Sequence, residues 1–109
     1  MIINSLEEIK NKKFFAIIIG SGPAGISTAL GLERKKINSL IIEAGDISTN
    51  DYNLEFLKGF NVGNKYSDIE ISRLRQFGGT SGLWGGNCNP LDESDFSEWP
   101  IAKKDLDVH

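Results

Sequence analysis

Gly20, Gly22 and Gly25 form G-x-G-x-x-G within the stretch IIIGSGPAG, and a carboxylate, Glu43, follows 18 residues after the last of them. Chemistry of one kind needs glycine at each of these points. Gly20 permits a sharp turn, Gly22 lets backbone N–H groups approach a pyrophosphate, and Gly25 lets a helix pack closely on a strand. The pyrophosphate sits at the helix N-terminus, where unpaired N–H groups and the macrodipole favour negative charge. Glu43 stands where a carboxylate accepts hydrogen bonds from an adenosine ribose, and a carboxylate rather than a base there disfavours a 2′-phosphate. Ser21, Pro23 and Ala24 fill the turn between the glycines, and Ala44 follows Glu43, so these four join the candidate dinucleotide-binding set. The spacing points to a dinucleotide without saying which one.

Those residues work only if particular elements hold them. Phe14 to Ile19 (FFAIII) is an apolar run of β-branched and aromatic residues without alternation, which predicts a strand buried on both faces, as in parallel sheets. Pro23 to Lys36 predicts a helix, with Pro23 suited to the first turn and Arg34, Lys35 and Lys36 to the negative C-terminal end. Asn38 and Ser39 make a turn into a second short buried strand, Leu40 to Glu43. Together residues 14–44 predict a βαβ unit. Upstream, Ser5 and Glu8 have capping-box spacing, so residues 1–13 read as a short polar helix. Downstream, residues 45–65 are polar and irregular, with a helical turn expected around Leu54 to Lys58. Ile69 and Ile71 alternate with polar neighbours, so Ser67 to Arg75 reads as a strand.

A second glycine cluster, FGGTSGLWGG, holds five of the chain's 12 glycines between Gly78 and Gly86. A glycine pair lets backbone N–H groups approach an anion or a ring edge, and hydroxyls add donors. The segment 75–90 is therefore a second candidate contact region. The tail after it is acidic, and Phe96 and Trp99 read as packing residues.

Taken together, GSGPAG with Glu43 and then RQFGGTSGLWGGNCNPL resemble the glucose–methanol–choline (GMC) oxidoreductase family of flavoproteins. The family carries a GG-[ST]-[ST] turn with Asn or Trp three residues later, here Gly78, Gly79, Thr80, Ser81 and Trp84. The form with Trp84, NPL, Asp95-Phe96, Trp99-Pro100-Ile101 and Asp105-Leu106 looks most like the sugar dehydrogenase and pyranose oxidase branch. The resemblance covers nearly the whole chain, but only the N-terminal part of such a protein. It implies an α/β fold, an incomplete Rossmann-type βαβ unit with a glycine-rich second FAD-contact segment. It also implies FAD as cofactor, with residues matching Thr80, Trp84, Gly85 and Asn87 near its pyrophosphate and flavin-proximal part. Some members of this branch attach the flavin covalently to a His immediately before the Trp. Leu83 stands there, which implies non-covalent FAD.

The implied activity is oxidation of CH–OH groups, with a sugar or polyol as small-molecule donor and hydride passing to flavin N5. The family's catalytic His, with a second His or Asn, lies near the C-terminus of its full-length members. No residue here matches it, and His109 is not its counterpart. On this reading residues 1–109 are the front of a longer FAD-binding domain, inactive as a free polypeptide.

Composition narrows the alternatives. The chain has 109 residues, with 12 Lys+Arg against 15 Asp+Glu, and the net charge of −3 argues against a nucleic-acid binder. Cys88 is the sole cysteine, so an internal disulfide and a dithiol redox pair are both excluded. With His109 it makes no credible metal site. It reads as a small, partly buried residue beside a glycine-rich turn. The charge-free stretch from Phe14 to Leu32 is broken by GSGPAG and is too poor for a signal peptide or a membrane span, so a cytoplasmic, soluble protein is expected. Two other readings stand beside the first. One is a non-catalytic dinucleotide-binding remnant or subunit completed by a partner chain. The other, a dithiol-type flavin reductase sharing GSGPAG, is disfavoured by the single cysteine.

Overall fold

The computed structural model describes residues 2–106; His109 lies outside the described residues. Its centre is a pair of parallel strands joined by a helix. Strand β1 (Ala16–Ile19) pairs with β2 (Ser39–Ile42) in the register Ile17 to Leu40 and Ile18 to Ile41. The ladder continues past both strand ends, through Phe15 N–H to the Asn38 carbonyl at 3.0 Å and Gly20 N–H to the Ile42 carbonyl at 2.8 Å. Between them runs α1 (Pro23–Arg34), which begins with Pro23 at its first position and packs on one face of the pair. The fold is thus mixed α/β, with two parallel strands and three α-helices among the described residues, compatible with a partial βαβ unit.

Helix α1 ends two residues before the expected Lys36. Lys36 N–H donates to the Glu33 carbonyl at 2.8 Å and Ile37 N–H to the Leu32 carbonyl at 2.9 Å. This double return is a Schellman cap. It places Lys36 at φ 57°, the left-handed conformation that glycine fills more cheaply.

Three expectations about elements are corrected. FFAIII is not buried on both faces: Ile18 faces α1, while Phe15, Ile17 and Ile19 on the other side are 83%, 61% and 88% exposed. An apolar run without alternation signals two faces to be covered, and among the described residues only one is. Ser67 to Arg75 is not a strand; Ile69–Ser72 is a single helical turn, α3, begun at Asp68. Two alternating isoleucines are too few to hold a strand without a partner edge, and only Gln76 makes a sheet-like bridge, to Asp46. Cys88 is exposed rather than partly buried.

Of the smaller elements, the helix expected over residues 1–13 is reduced to one short turn without the capping box, and the helical turn expected around Leu54 is present. Leu6–Ile9 is a 3₁₀ turn whose Ser5 hydroxyl accepts from Glu7 N–H at 3.2 Å, while Glu8 accepts from Asn4 rather than from Ser5. Helix α2 (Asp51–Glu55) starts three residues earlier than Leu54 because Asn50 caps it, accepting from Asn53 N–H at 2.9 Å. Phe96 is buried and meets Trp99 edge to face at 5.4 Å, though Trp99 itself is half exposed.

Little of the surface is put away. The Cα radius of gyration is 17.2 Å, where about 13 Å is expected for this length. The accessible surface is 9308 Å², against about 6,000 Å² for a folded monomer of this mass. Among the described residues nothing covers the apolar sheet face of Phe15, Ile17 and Ile19, and the sheet has two strands alone. No helix of the described residues is long and apolar enough to cross a membrane.

Candidate functional site

The three glycines of the first turn have separate physical reasons. Gly20 carries φ 95°, which turns the chain off the end of β1. A Cβ on Gly25 would fall on the Gly20 carbonyl oxygen and lie 3.3 Å from the Ile18 side chain, so helix and strand touch only because it has none. Gly22 is different. Its φ of −65° suits any residue, and a Cβ there would meet no protein atom within 4 Å. The protein's own packing does not require a glycine at that point. Gly22 is also the N-cap of α1, and no side chain accepts from the helix's first turn. Ser, Thr, Asp or Asn would cap that end better. An open, uncapped helix start with the side chain deleted is what a group approaching from outside would require.

Glu43 closes the turn from the end of β2. Its Oε2 accepts from Ser21 N–H at 2.8 Å and from the Ser21 hydroxyl at 2.6 Å, and its Oε1 accepts from Gly45 N–H at 2.8 Å. Partial burial pushes its carboxyl pKa up. Hydrogen bonds from the Ser21 hydroxyl and from the Gly45, Ser21 and Ala44 backbone outweigh that, holding it below the ordinary 4.5. The sign follows from linkage. With the folded pKa depressed, the stabilisation is fully present above the unfolded value and is lost as pH falls through the folded one. The melting temperature of the native chain should therefore exceed that of Glu43→Gln at neutral pH, and the gap should close on acidification below about 4.5. A gap that widens in acid would contradict the assignment of the charge.

The second glycine cluster is brought to the first. The Gly78 N–H donates to the Ser21 hydroxyl oxygen at 3.1 Å across 57 residues of sequence. A Cβ on Gly79 would stand 3.4 Å from the Gly22 Cα. Residues Gly79–Leu83 form a 3₁₀ turn. Within it the Ser81 hydroxyl donates to the Gly78 carbonyl at 2.6 Å, and the Thr80 hydroxyl accepts from Leu74 N–H at 3.3 Å. Thr80 keeps its proton for another acceptor, whereas Ser81 has spent its own. Trp84, Gly85 and Asn87 are exposed and make no hydrogen bond to the first turn. The structure thus gathers Gly20, Ser21, Gly22, Gly25, Glu43, Gly78 and Gly79, and leaves the 84–87 segment on the outside.

Two positioning residues were not singled out by the sequence reading. Gly45 is the first: a Cβ on it would fall on the Arg75 backbone carbonyl. That close approach lets residues 75–77 run beside 44–46, with Phe77 N–H donating to the Asp46 carbonyl at 2.8 Å. Arg75 is the second. Its guanidinium lies 4.1 Å from the Phe56 ring centre and donates to the buried Asn53 amide oxygen at 3.2 Å, which ties α2 to the segment leading into Gly78. Nothing in single-sequence spacing marks Arg75, but a glycine directly after Glu43-Ala44 is a signal for Gly45. Beside this seam lies an open hollow of about 240 Å³, lined by Ala44, Gly45, Asp46, Asn50, Tyr52 and Asn53. Pro23 and Ala24 are exposed at the head of α1.

No family model, curated protein or solved structure matches the chain.

Proposed function

We propose that this chain is the FAD-binding segment of a flavin-dependent oxidoreductase of the GMC kind, acting on CH–OH groups of a sugar or polyol. The architecture in this reading is a partial Rossmann-type unit, with the dinucleotide pyrophosphate over Gly22 at the start of α1 and the adenosine ribose at Glu43. The observation that carries it is Gly22, a glycine in ordinary backbone conformation facing open space at an uncapped helix end. The docking of Gly79 against Gly22 adds support, since it makes one site of two motifs far apart in sequence. Glu43 Oε2 accepts twice from Ser21, while Oε1 takes its one short bond from Gly45 N–H, so Oε1 is the oxygen that would meet a ribose hydroxyl. When bound, flavin supplies the hydride acceptor. These residues would bind and orient it, Leu83 leaves it without a covalent tether, and none of them serves as a base.

Gly22→Val tests this reading in the whole protein. The added Cβ would meet no protein atom within 4 Å, so the circular dichroism should be unchanged while the protein is purified without flavin. Full flavin content in the valine variant would sink the assignment. The exposed Phe15, Ile17 and Ile19 favour a second reading, a dinucleotide-binding subunit completed by a partner chain. In that case flavin binds only once the partner is added.

A further inference from the structure

Ser21 is the one fully buried residue among those described, in a molecule that buries little else. A serine is an odd choice for such a place unless its N–H and hydroxyl find partners, and both do. Its N–H and its hydroxyl proton both go to Glu43 Oε2, and its hydroxyl oxygen accepts from Gly78 N–H. The side chain is fully buried, with its proton given to Glu43, so it presents no surface to a ligand, although its position in the glycine turn suggests a direct contact. Without the hydroxyl, the Gly78 amide and one lone pair of Glu43 would lose their partner together.

We propose that Ser21 is a positioning residue whose hydroxyl, bonded to the Glu43 carboxylate and to the Gly78 amide, fixes the second glycine turn against the first. The proposal rests on the reading of these turns as one dinucleotide site, and it assigns Ser21 the spacing between them rather than contact with the ligand. The order of the bonds matters. An O–H donating to a carboxylate is polarised, so its oxygen becomes a better acceptor for the Gly78 N–H. The charge on Glu43 is thereby felt at a turn 35 residues further along the chain. The same link keeps Gly79 beside Gly22, where the backbone of the second turn meets the opening above α1.

The test uses Ser21→Ala and Ser21→Cys in the full chain, the thiol filling nearly the same space with a much weaker donor and acceptor. Amide exchange at Gly78 should quicken about tenfold or more in both variants, while Gly20, bonded to the Ile42 carbonyl, keeps its protection. FAD affinity should fall about tenfold, on the scale of one hydrogen bond to a charged group. The pH at which flavin is released on acidification should rise, since Glu43 has lost a donor; a serine that merely filled space would leave that pH alone. Unchanged Gly78 exchange in both variants would overturn the proposal. So would loss of protection at Gly20 and Gly78 alike in both, which would place Ser21 in the strand–helix unit instead. Native chain that binds no FAD would remove the proposed function, and the Gly78 exchange would still decide the role of Ser21.

Discussion

Gly25→Val is expected to destroy the β1–α1–β2 unit. The added side chain has nowhere to go: its first carbon falls on the Gly20 carbonyl oxygen, and the Ile18 side chain stands 3.3 Å away. A backbone carbonyl at the end of a hydrogen-bonded strand cannot swing aside like the end of a flexible side chain. Overpacking ordinarily costs about 1–3 kcal/mol, and more where the obstacle is rigid. Among the described residues Phe96 is the one buried apolar side chain, so there is little stability to give up. Thermal unfolding followed by far-UV circular dichroism should show the cooperative transition lost. Gly31→Ala, in the same helix, is the control. Its Cβ would meet open space, and alanine in a helix interior gains roughly 0.5–1 kcal/mol over glycine. Equal melting of Gly25→Val and the native chain would mean that helix and strand are not in contact at this point.

The other large effect belongs to Glu43. Glu43→Ala removes the acceptor of two Ser21 bonds and one Gly45 bond, and on the proposed reading it also removes the ribose contact. Hydrogen bonds to a charged group contribute about 1.5–3 kcal/mol each. Losing the ribose bond and loosening the turn together should weaken FAD binding about a hundredfold or more. Glu43→Gln keeps an oxygen for Ser21 but turns an amide N–H₂ toward Gly45 N–H, so its loss should be smaller, about tenfold. Fluorescence titration with FAD orders the three proteins, and titration with ADP isolates the ribose end. Affinity for ADP that does not change in Glu43→Ala would take Glu43 out of the binding site.

How far the sequence could be read depended on how local each signal was. FFAIII, GSGPAG and LIIE carry the β1–α1–β2 unit because strand propensity, a proline at the first helical position and glycines at the turn all act within a few residues. Gly20 and Gly25 have the roles their spacing implies. The end of α1 was harder, because Lys36 occupies the left-handed position where glycine would have announced the stop. The segment from Ser67 to Arg75 misled because two isoleucines at alternate positions fit a strand or a helical turn equally well. The Asp68 carbonyl accepts from Ile71 and Ser72 N–H and closes the helical turn, with no cap from the Asp68 side chain. The uncovered face of β1 was illegible as such, since an apolar run reports what a strand needs and not what the molecule supplies. Least visible were Arg75 and the second role of Ser21. Both depend on pairs far apart in sequence, 22 and 57 residues respectively, for which spacing holds no rule.

The bond between Ser21 and Gly78 also sets a schedule. A ribosome adds about 5–20 residues per second. Gly78 is therefore made about 2–7 s after Glu43, with 35 residues between them. During that interval the nascent chain can form its strands and its helix while the Ser21 hydroxyl oxygen still awaits the Gly78 amide. The first glycine turn exists first, open on one side, and it acquires its opposite wall only when the second glycine cluster emerges. On the proposed reading, cofactor capture during synthesis would then be a late event, timed by translation of the segment from Gly45 to Gly79 and not by the folding of the strand pair.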